Sequence, residues 1–156
     1  MNHALERLAR AHRLESPENE RLRLEFAYAC ALRVRHLLED PAVAECLAAL
    51  GQFLDGAIDR SRFDGEVQRA NMLANQHQGS KSLDGCGHAA VSASYAVANA
   101  LAGKVLQAAD YAAYAMVYGQ GGYGAVADRE SFEPEFQWQG SCLASLLERS
   151  RNAEAR

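Results

Sequence analysis

Apolar residues in this chain return every three to four positions, and no stretch alternates with the two-residue period of a half-buried strand. That spacing predicts an all-α protein, more than about 60% helical and without a β-sheet. Three prolines in 156 residues and abundant alanine agree with it. A chain this long can bury one core without staples. We expect a single-domain bundle of about six to seven helices over residues 1–149, followed by a frayed polar tail over 150–156.

Local signals place the helices. Ser16-Pro17-Glu18 combines a capping oxygen, a proline where no N–H is needed and an acid at the positive end of the helix dipole. Phe26, Cys30, Val34 and Leu37 then form a stripe. Asp40-Pro41 repeats the start signal, and Val43, Cys46, Leu47, Leu50, Phe53 and Leu54 make a broad face ending near Gly56, so the pair reads as a helical hairpin. Phe63, Val67, Ala70 and Ala74 mark a third long helix, capped by Ser61 or Asp64 and closed by Gln76–Ser80.

From Asp84 to Ala102 the residues are mostly Ala, Ser and Gly, and Gly103 supplies a C-terminal cap. Small side chains on most faces let neighbouring backbones approach closely, which makes this the expected central and most buried helix. The next helix, about Lys104 to Tyr118, carries Tyr111, Tyr114 and Tyr118 on one face; Gly119, Gly121, Gly122 and Gly124 then predict a flexible loop. A last helix, about Glu130 to Arg149, bears Phe132, Phe136, Leu143, Leu146 and Leu147.

The net charge of −4 gives no encouragement to direct nucleic-acid or anionic-membrane binding. Met1–Arg13 lacks the continuous apolar stretch of a secretory signal, and the small-residue run Ala89–Leu101 is too short to span a bilayer. Cys30, Cys46, Cys86 and Cys142 lie far apart without a CxxC pair, which reads as buried free thiols in a reducing cytosol.

Candidate chemistry is thin. Gly85-Cys86-Gly87-His88 offers a thiol and an imidazole, yet only Asp84 and distant His77 could complete a metal set. The favoured reading there is two glycines admitting a close helix crossing, with His88 hydrogen-bonded inside. The glycine run is not followed by the Lys-Ser/Thr of a phosphate loop, and Asp128, Glu130, Glu133 and Glu135 lack the order of a calcium loop. We therefore expect no catalytic residue, no cofactor and no metal.

The run Phe26-Ala27-Tyr28-Ala29-Cys30-Ala31-Leu32-Arg33-Val34, then Phe53-Leu54-Asp55-Gly56, Gly87-His88-Ala89-Ala90, Ala109-Asp110-Tyr111-Ala112-Ala113-Tyr114-Ala115 and Phe136-Gln137-Trp138-Gln139 resembles an all-helical family of bacterial immunity proteins, the "immunity five-like" type, associated with polymorphic toxin systems. The resemblance covers roughly residues 22–148 in unbroken order. Members often carry further histidines in the helix after Gly-His; Ser94, Tyr95, Ala98 and Asn99 stand here, so no histidine site carries over.

The resemblance implies a cytosolic protein that neutralises a cognate bacterial toxin by stoichiometric binding. An all-α adaptor or scaffold, or a small-ligand-binding bundle without a toxin partner, is the alternative. From Val105 to Glu148 the charged residues are six acids (Asp110, Asp128, Glu130, Glu133, Glu135 and Glu148) and one base, Arg129, whereas the first forty residues hold seven of each sign. That acidity suits a toxin with a basic cleft. The expected partner surface is therefore Tyr111, Tyr114, Tyr118, Gly121, Gly122, Tyr123, Asp128, Glu130, Glu133 and Glu135.

Overall fold

A computed structural model, which describes residues 1–77 and 86–155, is 85% helical and has no strand among those residues. Seven α-helices are described: α1 (His3–Ala11), α2 (Glu20–Arg33), α3 (Pro41–Leu54), α4 (Arg60–Gln76), α5 (Cys86–Leu101), α6 (Val105–Ala127) and α7 (Glu133–Glu154). Short 3-10 turns at Pro17–Asn19, Arg35–Leu37 and Arg129–Phe132 punctuate them. No described helix is long and apolar enough to cross a membrane.

Some start signals act where expected and others are displaced. Asp40 accepts from the Ala42 amide at 2.9 Å, with Pro41 opening α3. Ser16-Pro17 instead opens a 3-10 turn, and α2 follows at Glu20. The cap of α4 is Asp59, which accepts from the Arg62 amide at 2.9 Å, rather than Ser61 or Asp64.

Helix α1 is amphipathic, with Leu5 and Ala9 buried, and distant partners hold it. Asn2 caps it by accepting from the Leu5 amide, and the same side chain donates to the Phe136 carbonyl at 3.2 Å and to Gln139 Oε1 at 3.3 Å. Gln139, itself buried, donates to the Ala109 carbonyl at 2.8 Å. One polar chain thus ties α1, α7 and α6, and each buried amide is satisfied.

The small-residue helix is central. Helix α5 packs on α2, α3, α4 and α6, and Ala89, Ala90, Ala93, Ala96, Val97 and Ala100 are buried. Gly103, at φ +73°, supplies the left-handed residue that turns the chain so that α6 can pack along α5. With Ala93 at 0% exposure there is no room for three further carbons. Ala93→Leu is expected to lower stability by about 1–3 kcal/mol, read from the urea midpoint, and an unchanged midpoint would contradict this packing.

Two boundaries differ from the sequence reading. The glycine segment is helical: α6 continues to Ala127 and breaks only at Gly122, whose φ of 63° and ψ of −150° suit glycine alone. Gly121 is needed as well, because a Cβ there would stand 2.6 Å from the Ala125 methyl. The glycines therefore permit a sharp turn within a helix. At the other end, α7 runs on to Glu154, past the expected limit at Arg149, so residues 150–154 of the expected tail are its last turn.

Candidate partner-binding site

The tyrosine spacing on α6 produces a ladder of rings along the seam with α5. At one end Tyr111 stacks on Tyr95 with centroids 5.2 Å apart, and the Tyr95 hydroxyl donates to Asn75 Oδ1 of α4 at 3.0 Å. At the other end Tyr118 stacks on His88 at 5.3 Å. The break at Gly122 folds Tyr123 back edge-on to both, 5.3 Å from His88 and 6.0 Å from Tyr118. Tyr111, Tyr114 and Tyr123 remain exposed, whereas Tyr118 is half-buried. Rings fixed by stacking lose little further freedom on contact with a partner.

His88 is half-buried among these rings, in place of the interior hydrogen-bonded position expected for it. Asp84, Gly85 and the Cys86 side chain lie outside the described residues. His77 sits apart at the end of α4, its Nε2 3.9 Å from a Glu39 carboxylate oxygen. Among the described residues no three His, Cys, Asp or Glu side chains gather as a metal-binding group.

Beside Tyr114 the surface opens into a groove of about 980 Å³ between the start of α1, the end of α6 and the start of α7. Its apolar wall is Tyr114, Val126, Phe132 and Phe136, with Phe132 edge-on to Tyr114 at 5.0 Å and 5.7 Å from Phe136. Arg129 and Glu133 stand at its margin. The adjoining acids Asp128 and Glu130 are exposed, and Asp128 caps the 3-10 turn by accepting from the Glu130 amide at 3.1 Å. Gly121 and Gly122 lie in the α6 break that joins the ladder to this groove.

Glu135 does not belong to that surface. Its residue is 4% exposed, and both carboxylate oxygens are held by Arg33, at 2.7 Å and 2.9 Å. The guanidinium also lies 4.5 Å from the Trp138 ring centroid. The hydrogen bonds to Glu135, ahead of every other influence, raise the Arg33 pKa above its ordinary range. An acid already paired this way is closed to a docking protein. The acidic rim is Asp128, Glu130 and Glu133.

Phe132, Phe136 and Val126 were absent from the expected partner set because their helical spacing is that of ordinary core residues. Phe132 is indeed buried, in a small second cluster with Ala113 and Val117, and of these three it alone lines the groove. Cys30 and Cys46 are free and fully buried, and Cys142 is free and half-buried. Burial pushes all three thiols up, Cys46 to about 12. Such thiols are poor nucleophiles.

No family model, curated protein or solved structure matches this chain.

Proposed function

We propose that this chain is an immunity protein that neutralises a cognate bacterial toxin by binding it stoichiometrically. The observation that carries this reading is the groove beside Tyr114, where an aromatic wall adjoins the exposed acids Asp128, Glu130 and Glu133. Rigid rings there would anchor an apolar or aromatic side chain of the toxin, and the acids would meet basic residues around it. A toxin that cleaves nucleic acids or nucleotides presents such basic residues at its substrate cleft. Covering the cleft neutralises it without any chemistry by the inhibitor. The ordered resemblance to immunity proteins supports the same reading, and the buried free thiols suit a reducing cytosol.

The test pairs this protein with the toxin-like product of the neighbouring gene. Co-expression should restore growth, and the purified proteins should form a complex of fixed stoichiometry. Glu130→Lys with Glu133→Lys, on exposed positions, should leave the circular dichroism spectrum unchanged. The double variant should slow association at low salt by about tenfold and flatten its salt dependence. Failure to protect cells would remove the immunity reading; protection with unchanged association rates would remove this docking surface.

A further inference from the structure

We propose that Cys30 of α2 and Cys142 of α7 form a redox-responsive pair, which a low-molecular-weight disulfide such as oxidised glutathione closes into a bridge between the two helices. Arg33 is the last residue of α2 and Glu135 the third of α7, and the two are paired at 2.7 Å and 2.9 Å. Helices that meet at these ends can lie along one another only by running antiparallel, and α2 and α7 do pack together.

Register then places the thiols. The Arg33 guanidinium also reaches Trp138, 4.5 Å from its ring centroid. One turn back from Arg33 along α2, about 4.5 Å, stands Cys30. One turn on from Trp138 along α7, about 6 Å in the same direction in space, stands Cys142. Trp138 and Cys142 follow Glu135 by three and seven positions, which keeps all three on one stripe of α7. Both cysteines join the main core, Cys30 within it and Cys142 packed against it. Electrostatics agree with this register. After burial, Cys142 is the largest influence on the Cys30 thiol, ahead of Glu135 and Arg33, and such an influence fades with distance.

Unequal access sets the order of reaction. Cys30 is 0% exposed, whereas Cys142 is half-buried. The Cys142 thiolate attacks one sulfur of oxidised glutathione, and a glutathione thiolate leaves, giving a mixed disulfide. The Cys30 sulfur then attacks Cys142 Sγ. The S–S bond to glutathione breaks, and the departing thiolate takes the Cys30 proton. Two protein thiols and one glutathione disulfide thus become one protein disulfide and two glutathione thiols. Burial raises the Cys142 pKa, so exchange is slow at neutral pH and quickens as pH rises. The pair therefore answers sustained oxidation, and a reducing cytosol keeps it open. Once formed, the bridge closes a loop of about 110 residues, which restricts the unfolded chain far more than the folded one.

This inference does not rest on the toxin reading, since neither cysteine lines the groove. The experiment treats the native full-length chain with about 5 mM oxidised glutathione at about pH 8.5, then alkylates it in urea and maps it without reduction. A Cys30–Cys142 cross-linked peptide is expected, with the urea midpoint raised by at least about 1 M and restored by dithiothreitol. Cys30→Ala should stop at a glutathione adduct on Cys142, Cys142→Ser should form neither adduct nor bridge there, and Cys46→Ala should still form the bridge. A parent protein that accumulates the Cys142 adduct while Cys30 remains alkylatable would place Cys30 out of reach and overturn the inference. An unmodified Cys142, or a bridge to Cys46 or Cys86 instead, would overturn it equally.

Discussion

Arg33→Met is expected to destabilise the protein by about 3–5 kcal/mol, although Arg33 itself is partly exposed. The asymmetry of the pair explains this. The Arg33 side chain keeps 33% of its exposure, whereas that of Glu135 keeps only 6%. Removing the base leaves a carboxylate buried without its two hydrogen bonds, and an uncompensated buried charge costs far more than the pair contributes. Removing the acid is milder, because the freed guanidinium can turn to water while resting on Trp138; Glu135→Gln should cost about 1–2 kcal/mol. The double variant Arg33→Met, Glu135→Leu deletes both charges and should recover much of the loss. Urea unfolding of the parent and the three variants measures these differences. An Arg33→Met loss below about 0.5 kcal/mol would show that Glu135 reaches water, and would return it to the acidic surface.

That pair also marks where the sequence ceased to be informative. Glu135 reads as one of a run of acids opening a helix, and its partner lies 102 positions earlier on α2. Nothing in the spacing around either residue announces the contact. The same holds for the docking of α1, whose Leu5, Leu8 and Ala9 stand at helical spacing but whose anchor joins Asn2 to Gln139 across 137 positions. By contrast, the core faces of α3 and α5 were legible, because a broad apolar stripe or a run of small residues has few other places to go.

The glycines of α6 were misread for a different reason. Glycine composition records that the backbone needs room or an unusual dihedral, and it does not record which. Here a helix breaks sharply at Gly122 and resumes, which brings Tyr123 back onto His88. The tyrosine face was legible as a spacing, while its division into a neutral ladder and an acid-rimmed groove needed the neighbours from α1, α4 and α7.

Raising the pH above about 9 should destabilise the fold steeply through two buried thiols. Cys30 and Cys46 are both 0% exposed, and burial, ahead of every other influence, holds each protonated well above the ordinary thiol value of 9.0. For Cys46 a hydrogen bond to Glu66 adds to the effect and the pKa reaches about 12. Below the unfolded pKa both states keep the proton, and the stability is fully present. Above it the unfolded chain ionises while the folded chain does not, so the unfolded state binds fewer protons and stability falls as pH rises. The fall continues until the folded pKa is reached, about 12 for Cys46. Each fully buried thiol contributes a slope of about 1.4 kcal/mol per pH unit. For Cys46, whose folded pKa is about 12, the loss over about two pH units is about 2–3 kcal/mol, and Cys30 adds to it in the same direction. Urea unfolding under reducing conditions at about pH 8, 9, 10 and 11 measures the slope. Cys30→Ala and Cys46→Ala should each reduce it by about 1.4 kcal/mol per unit while adding a cavity cost that is constant with pH. Tyrosine ionisation is common to all three proteins and cancels in the comparison. If the variants lose stability in parallel with the parent, the folded thiols ionise as readily as free ones, and these two cysteines are open to solvent and to chemistry.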